Sequence, residues 1–311
     1  VGTGCVAPRT VVQGRGSCYG HAVGFADLLQ VAREKRGAVV MGILNVTPDS
    51  FSDGGLHWEA AASERRVDEL LDAGADLLDI GGESTRPGAL PVSAEEQIRR
   101  ILPAVRRAVQ RGVAVSVDTA STQVAEASLA EGATLINDVS CLEDPSLALA
   151  VAKHNASLVL MHSRGSQVQR EMAAFSAYPE AAYDDIVAQV KFEWRQAREK
   201  AESTGLDRTR IFFDPGLGFA KNAGHSWEIL TRLAEFQSLG APIVIGPSRK
   251  SFLATLDASP PEERLGATIA CCLLAVEHGA SVLRVHDVKP VVQALAAMRR
   301  ANASFGGRRV G

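Results

Sequence analysis

What most constrains this chain is the alternation, from Ala38 onward, of short β-branched runs with longer amphipathic stretches. The runs are Val39–Asn45, Asp76–Ile80, Val113–Asp118, Thr134–Asn137, Ser157–His162, Ile211–Asp214, Pro242–Gly246 and Ser281–His286. Between them lie Glu59–Ala73, Ala94–Arg111, Thr122–Glu131, Tyr183–Thr204 and Glu262–His278, and Pro290–Arg300 follows the last run. Such alternation builds right-handed βαβ units and a parallel sheet. Eight units averaging roughly 33 residues suit a closed barrel. The expected fold class is α/β, a TIM (β/α)8 barrel. An open doubly wound sheet would carry a G-x-G-x-x-G turn after its first strand, and none follows Val39–Asn45.

The 311 residues divide into an N-terminal extension, 1–37, expected to be poorly ordered, and a barrel domain, 38–311. Hydrophobic residues make up 46% and charged residues 22%, enough to bury a core and to rule out disorder, collagen and coiled coil. With 33 Lys+Arg against 36 Asp+Glu the net charge is -3, and no basic stripe stands out, so no nucleic-acid partner is expected. No apolar run reaches the ~18–20 residues of a membrane span. The five cysteines, Cys5, Cys18, Cys141, Cys271 and Cys272, form no C-x-x-C pair and have no His at zinc-ligand spacing. They read as reduced thiols, and without signal-peptide order at the start a cytoplasmic location is expected.

The runs change character where they end. Asn45, Asp118, Asn137, His162, Asp214, and Arg284 with His286 close six of the eight. In a barrel the C-terminal strand ends form the active face, so these side chains are expected around one mouth. Parity agrees, because Ala114, Ser116 and Asp118 share one face of their strand while the valines take the other. Plainer uses exist: Asp118 can cap a helix, Asp214 can form an Asx bond before Pro215-Gly216, and His162 can be structural. Their coincidence at one mouth favours a site. The segments Asn45 to Gly55 and Gly81 to Gly88 exceed the ~2–6 residues a βα turn requires and mix Gly, Pro, hydroxyl and charged groups. Asn45, Asp49 and Asp53 make an all-oxygen set that suits Mg²⁺. Arg86, Lys250, Arg284 and His286 add positive or donor groups, and the combination suggests a diphosphate substrate.

Seven segments, in order, resemble the dihydropteroate synthase family: Ile43–Gly55, Gly81–Ala89, Ser116–Thr119, Ile136–Asp138, Asp214–Lys221, Ser248–Lys250 and Arg284–Asp287. The resemblance implies a pterin-binding TIM barrel that condenses 6-hydroxymethyl-7,8-dihydropterin diphosphate with 4-aminobenzoate, giving 7,8-dihydropteroate and diphosphate. It implies that Asp118, Asn137, Asp214 and Lys250 hold the pterin, with Arg284 against its ring face. Asn45, Arg86 and His286 would contact the diphosphate, with Mg²⁺ beside Asn45. Thr85, Pro87, Phe219 and Ser251 would shape the aminobenzoate pocket, and Asp49, Phe51 and Asp53 would support the loops. Asp118, Arg86, Lys250, Arg284 and His286 form the expected catalytic set. A homodimer and inhibition by sulfonamides are implied as well.

The chain departs from the family pattern at Ala220, where many relatives carry Gly, and at Pro247; both flank expected substrate contacts and bear on loop stiffness. Gly218-Phe219-Ala220-Lys221 lacks the extra residue by which drug-insensitive relatives escape sulfonamides. Two other functions fit a pterin-binding barrel: methyl transfer from methyltetrahydrofolate to a corrinoid protein, and non-catalytic pterin binding. The first would not need the two long loops or Ser248-Arg249-Lys250, and against the second stand the full set of expected diphosphate, pterin and aminobenzoate groups. Cys271-Cys272 are expected to be packing residues, and Tyr183–Thr204 a solvated amphipathic helix.

Overall fold

A computed structural model of the chain describes residues 29–30, 34, 37–47, 56–83, 91–164 and 183–305. Within them β1 (Val39–Asn45) leads to α1 (Leu56–Asp72), β2 (Leu77–Gly81) to α2 (Ala94–Gln110), and β3 (Ala114–Asp118) to α3 (Thr122–Ala130). Then β4 (Leu135–Asp138) leads to α4 (Pro145–Lys153), β5 (Ser157–Met161) to α5 (Ile186–Ser203), and β6 (Ile211–Asp214) to α6 (Ala223–Thr231). Finally β7 (Ile243–Ile245) leads through two 3₁₀ turns to α7 (Leu265–Glu277), and β8 (Ala280–Val285) to α8 (Val288–Phe305). The strands pair in sequence order, all parallel, and β8 closes on β1. The expected barrel is therefore present. Glu262, read from the sequence as helical, falls in the 3₁₀ turn Pro261–Glu263 ahead of α7.

Strand parity divides the interior in two. Val39, Met41, Leu77, Ala114, Leu135, Val159, Phe212, Val244 and Val282 fill the inside of the barrel. The alternate positions, such as Val40, Leu78, Val115, Leu158 and Leu283, pack outward under the helices. This is the period of two that a strand imposes. Leu29, from the stretch ahead of β1, packs against the inner cluster.

Helix starts are locally encoded. Ser93, Ser121, Asp144, Asp185 and Asn222 each accept a backbone N–H from the first turn of the helix they precede, satisfying a donor with no intrahelical partner. On α2 the buried positions Gln97, Ile101, Ala104, Val105 and Ala108 trace one face at helical spacing. On α5 the polar face is solvated as expected, but Trp194 is wholly buried on the other. Its indole N–H donates to the Leu160 carbonyl at 2.9 Å, and its ring meets the Phe213 ring edge-on at 5.2 Å. Among the described residues no helix is long and apolar enough to cross a membrane.

Trp194 locks α5 to two strands, so Trp194→Ala should cost about 3–5 kcal/mol in urea unfolding, the usual range for an aromatic removed from a core.

Candidate active site

Above the apolar layers the inward strand positions turn mostly polar or small on the side where the strands end, with Met161 of β5 an exception. Continuing the parity of the inner cluster, these positions are Asn45 on β1, Asp79 and Gly81 on β2, Ser116 and Asp118 on β3, Asn137 on β4, Met161 on β5, Asp214 on β6 and Arg284 on β8. Register places Asn45 beside Gly81, Gly81 beside Asp118, and Asp118 beside Asn137. Gly81 keeps this corner open, since a Cβ there would stand 3.5 Å from the Asp118 Cβ and 3.7 Å from the Asn45 Oδ1.

A buried ionic web joins the rim. The Arg284 guanidinium donates from Nε to Asp79 at 2.5 Å and from Nη2 to Asp118 at 2.6 Å. Burial opposes the Arg284 charge, yet the two carboxylates outweigh it and hold its pKa above the ordinary value. Asp79 also accepts from Ser116 Oγ at 2.6 Å and from Asn137 Nδ2 at 3.2 Å. The sequence reading did not pick out Asp79. Its signal was there: an acidic residue inside Leu77-Leu78-Asp79-Ile80 is buried on either face, and charges are seldom fully buried unless paired.

Opposite lies the loop from β6 to α6. The Asp214 carboxylate accepts the Gly216 N–H at 2.7 Å. Gly216 sits at φ 68, and a Cβ on it would come within 2.1 Å of the His162 carbonyl oxygen, so only glycine makes this turn. Burial raises the Asp214 carboxyl above its usual value, held back chiefly by Lys250 and the Gly216 N–H. Lys250 donates to the Leu217 carbonyl, and its ammonium lies 4.8 Å from the centre of the half-buried Phe219 ring. Burial pushes Lys250 down to about 8, against the pull of Asp214. Ser251, next along, is exposed.

His162 requires a correction. It is fully buried and has the outward parity on β5, where Met161 takes the inward place. Its Nε2 meets Glu193 of α5 at 2.8 Å and its Nδ1 meets Lys221 Nζ at 2.9 Å. The Glu193 carboxylate, held down to about 2, can only accept, so Nε2 carries the proton and in the neutral ring Nδ1 faces the Lys221 amine as acceptor. Burial and the Lys221 charge agree, pushing His162 down to about 4. Lys221 also donates to the carbonyls of Phe219 at 3.0 Å and His162 at 3.3 Å. Burial lowers its own pKa to about 7. Ala220, between these partners, is held at φ 49, a left-handed conformation that costs an alanine of order 1–2 kcal/mol.

In Ser248-Arg249-Lys250 the roles separate. Arg249 turns to Asp287 and binds it through two nitrogens at 2.9 and 2.6 Å. Ser248 Oγ accepts the His286 backbone N–H at 3.2 Å and lies 3.1 Å from its Nδ1. His286 is thereby fixed at the end of β8. Asp49, Phe51, Asp53, Thr85, Arg86 and Pro87 lie outside the described residues. Among the described residues no three His, Cys, Asp or Glu side chains group to hold a metal ion. The Asn45 carboxamide oxygen at the rim suits Mg²⁺ all the same, since this ion takes one or two protein oxygens and completes its shell with water and phosphate.

The mouth thus sets Asp79, Asp118 and Asp214 against Arg284 and Lys250 around a recess that ends in an apolar floor. A flat heterocycle with donors on one edge and acceptors on another would find partners there. The pterin binding enzyme family matches residues 41–286. The dihydropteroate synthase of Escherichia coli K12 is 41% identical over 257 residues, which cover 82% of this chain and 89% of that protein. Among solved structures, the Xanthomonas albilineans dihydropteroate synthase with 4-aminobenzoic acid is 41% identical, with a TM-score of 0.78 over 86% of this chain and 93% of that one. The Yersinia pestis enzyme in complex with a sulfonamide drug is 39% identical, with a TM-score of 0.77 over 86% and 94%. The chain belongs to the pterin binding enzymes, and within them to the dihydropteroate synthase family.

Proposed function

We propose that this barrel performs the reaction for which its family is named: 4-aminobenzoate displaces diphosphate from 6-hydroxymethyl-7,8-dihydropterin diphosphate, giving 7,8-dihydropteroate. The observation that carries the reading is the buried Asp214 with Lys250 close enough to bias its charge, across the recess from Asn137 and Asp118. Asp214 accepts from the aminopyrimidine edge of the pterin, and Lys250 donates to its acceptor side. Asn137 and Asp118 take the remaining edge, and Arg284 lies along the ring face, where a planar guanidinium stacks.

The amine nitrogen bonds to the exocyclic methylene carbon as the carbon–oxygen bond breaks. Diphosphate leaves with the bonding pair, and the amine proton passes to solvent or the leaving group. Positive charge grows on the methylene and spreads into the electron-rich ring, which Asp118 stabilises. His286, Arg86 and Asn45 hold the diphosphate, and Mg²⁺ held by Asn45 would neutralise charge on the leaving group when bound. Phe219, Ser251, Thr85 and Pro87 flank the aminobenzoate, with Asp49, Phe51 and Asp53 supporting the loops above. No strong protein base is required, because an aromatic amine attacks without prior deprotonation. Family resemblance supports a homodimer, and the free thiols of Cys141, Cys271 and Cys272 support a cytoplasmic setting.

Diphosphate release from the pterin substrate should depend on 4-aminobenzoate, and a sulfonamide should inhibit it competitively with that substrate. Release indifferent to 4-aminobenzoate would refute the reaction. Asp214→Asn keeps the shape but removes the charge, and should weaken pterin binding by about a hundredfold in calorimetry, as expected when hydrogen bonds to a charged acceptor are lost. The pH profile follows from the same pair. The Lys250 ammonium is present below about 8 and lost above it, so kcat/KM for the pterin substrate should fall as pH rises through that value. In Lys250→Met the alkaline limb should vanish along with most of the activity.

A further inference from the structure

We propose that Asp79 is a positioning residue for this site: from beneath the rim it decides which atom of the Asn137 carboxamide meets the ligand and holds Arg284 in place. The inference rests on the reading of the mouth as a pterin site. Asp79 is completely buried and stands two residues before Gly81, which neighbours Asp118 on the rim, so it lies one inward step below the ligand. Its Oδ1 accepts from Ser116, while its Oδ2 is shared by Asn137 Nδ2 and Arg284 Nε.

Arginine only donates, and the Nδ2 of asparagine only donates, so the carboxylate is the acceptor for both. With Nδ2 committed to Asp79, the oxygen of the Asn137 carboxamide is the atom turned away, and an N–H on the ligand finds an acceptor. Without that anchor the amide has two orientations of similar energy, one of which meets the same N–H with a donor. Arg284 is held the same way, with Nε on Asp79 and Nη2 on Asp118. Losing Asp79 leaves a single carboxylate to orient it. Asp79 therefore acts through two pterin contacts without touching the pterin itself.

In the full chain, Asp79→Asn should raise KM for the pterin diphosphate about tenfold, the loss of roughly one charge-assisted hydrogen bond. KM for 4-aminobenzoate should stay within about twofold, because among the described residues Asp79 bonds to Ser116, Asn137 and Arg284 and not to Phe219 or Ser251 of that pocket. Asn137→Asp should be impaired as well, since two carboxylates then abut. The double variant exchanges amide and carboxylate, reverses the bond between them and still presents an oxygen to the ligand. It should recover about fivefold over Asp79→Asn, the coupling expected of a contacting pair. An unchanged pterin KM in Asp79→Asn, an equal rise for both substrates, or a double variant no better than the singles would overturn the proposal.

A measurement on the unmodified protein stands whether or not these variants fold. With ¹⁵N-asparagine labelling, the Asn137 side-chain amide protons should exchange slowly with solvent in the free protein, and fast exchange would overturn the assignment. Absence of aminobenzoate-dependent diphosphate release in the unmodified protein would instead remove the underlying reading. Normal release with an indifferent Asp79→Asn would remove only the role of Asp79.

Discussion

Closing eight parallel strands on themselves forces alternate side chains into a space with room for little else. That single constraint organises the molecule. Low on the strands the inward positions are Val39, Leu77, Leu135, Phe212 and their neighbours, and the barrel is plugged with hydrocarbon. Toward the strand ends the same faces carry Asp79, Ser116, Asp118, Asn137, Asp214 and Arg284. On β2, β3, β4, β6 and β8 the transition takes a single inward step. The rim groups consequently stand on a packed and incompressible floor.

Charges drawn so close to an apolar floor would be costly alone, because desolvating an ion costs several kcal/mol even after relaxation. Several are met by an opposite charge or by a cluster of hydrogen-bond partners. Arg284 bridges two carboxylates, Asp79 gathers three donors, and Lys221 reaches three acceptors. Such a network gains little net stability, but it fixes where each donor and acceptor points. A site meant to recognise one edge of a heterocycle from another depends on that orientation more than on raw attraction.

Much of this was legible in the residues themselves. The alternation of runs announced the barrel, and Asn45, Asp118, Asn137, Asp214, Arg284 and His286 fell at strand ends as the pattern required. The parity rule, applied without exception, would also have turned His162 outward, since Val159 and Met161 share the other face. It would have marked Asp79 as an inward charge in an apolar strand. Lys221 is different. Nothing local tells whether a lysine after a Gly-rich turn is solvated or buried, and its burial depends on Glu193 arriving from α5 to complete the His162 contact. Interactions between elements distant in sequence, such as Arg284 with Asp79, leave no periodic trace to read.

The lysine at position 221 also has a mechanical consequence. Its three acceptors belong to the end of β5 and to the turn after β6, so the two segments are tied by one ammonium group. Shifting either would strip several bonds from a cation with no water at hand to replace them. That wall of the recess is set before any guest arrives, and molecules entering against it lose their own freedom without having to organise the host.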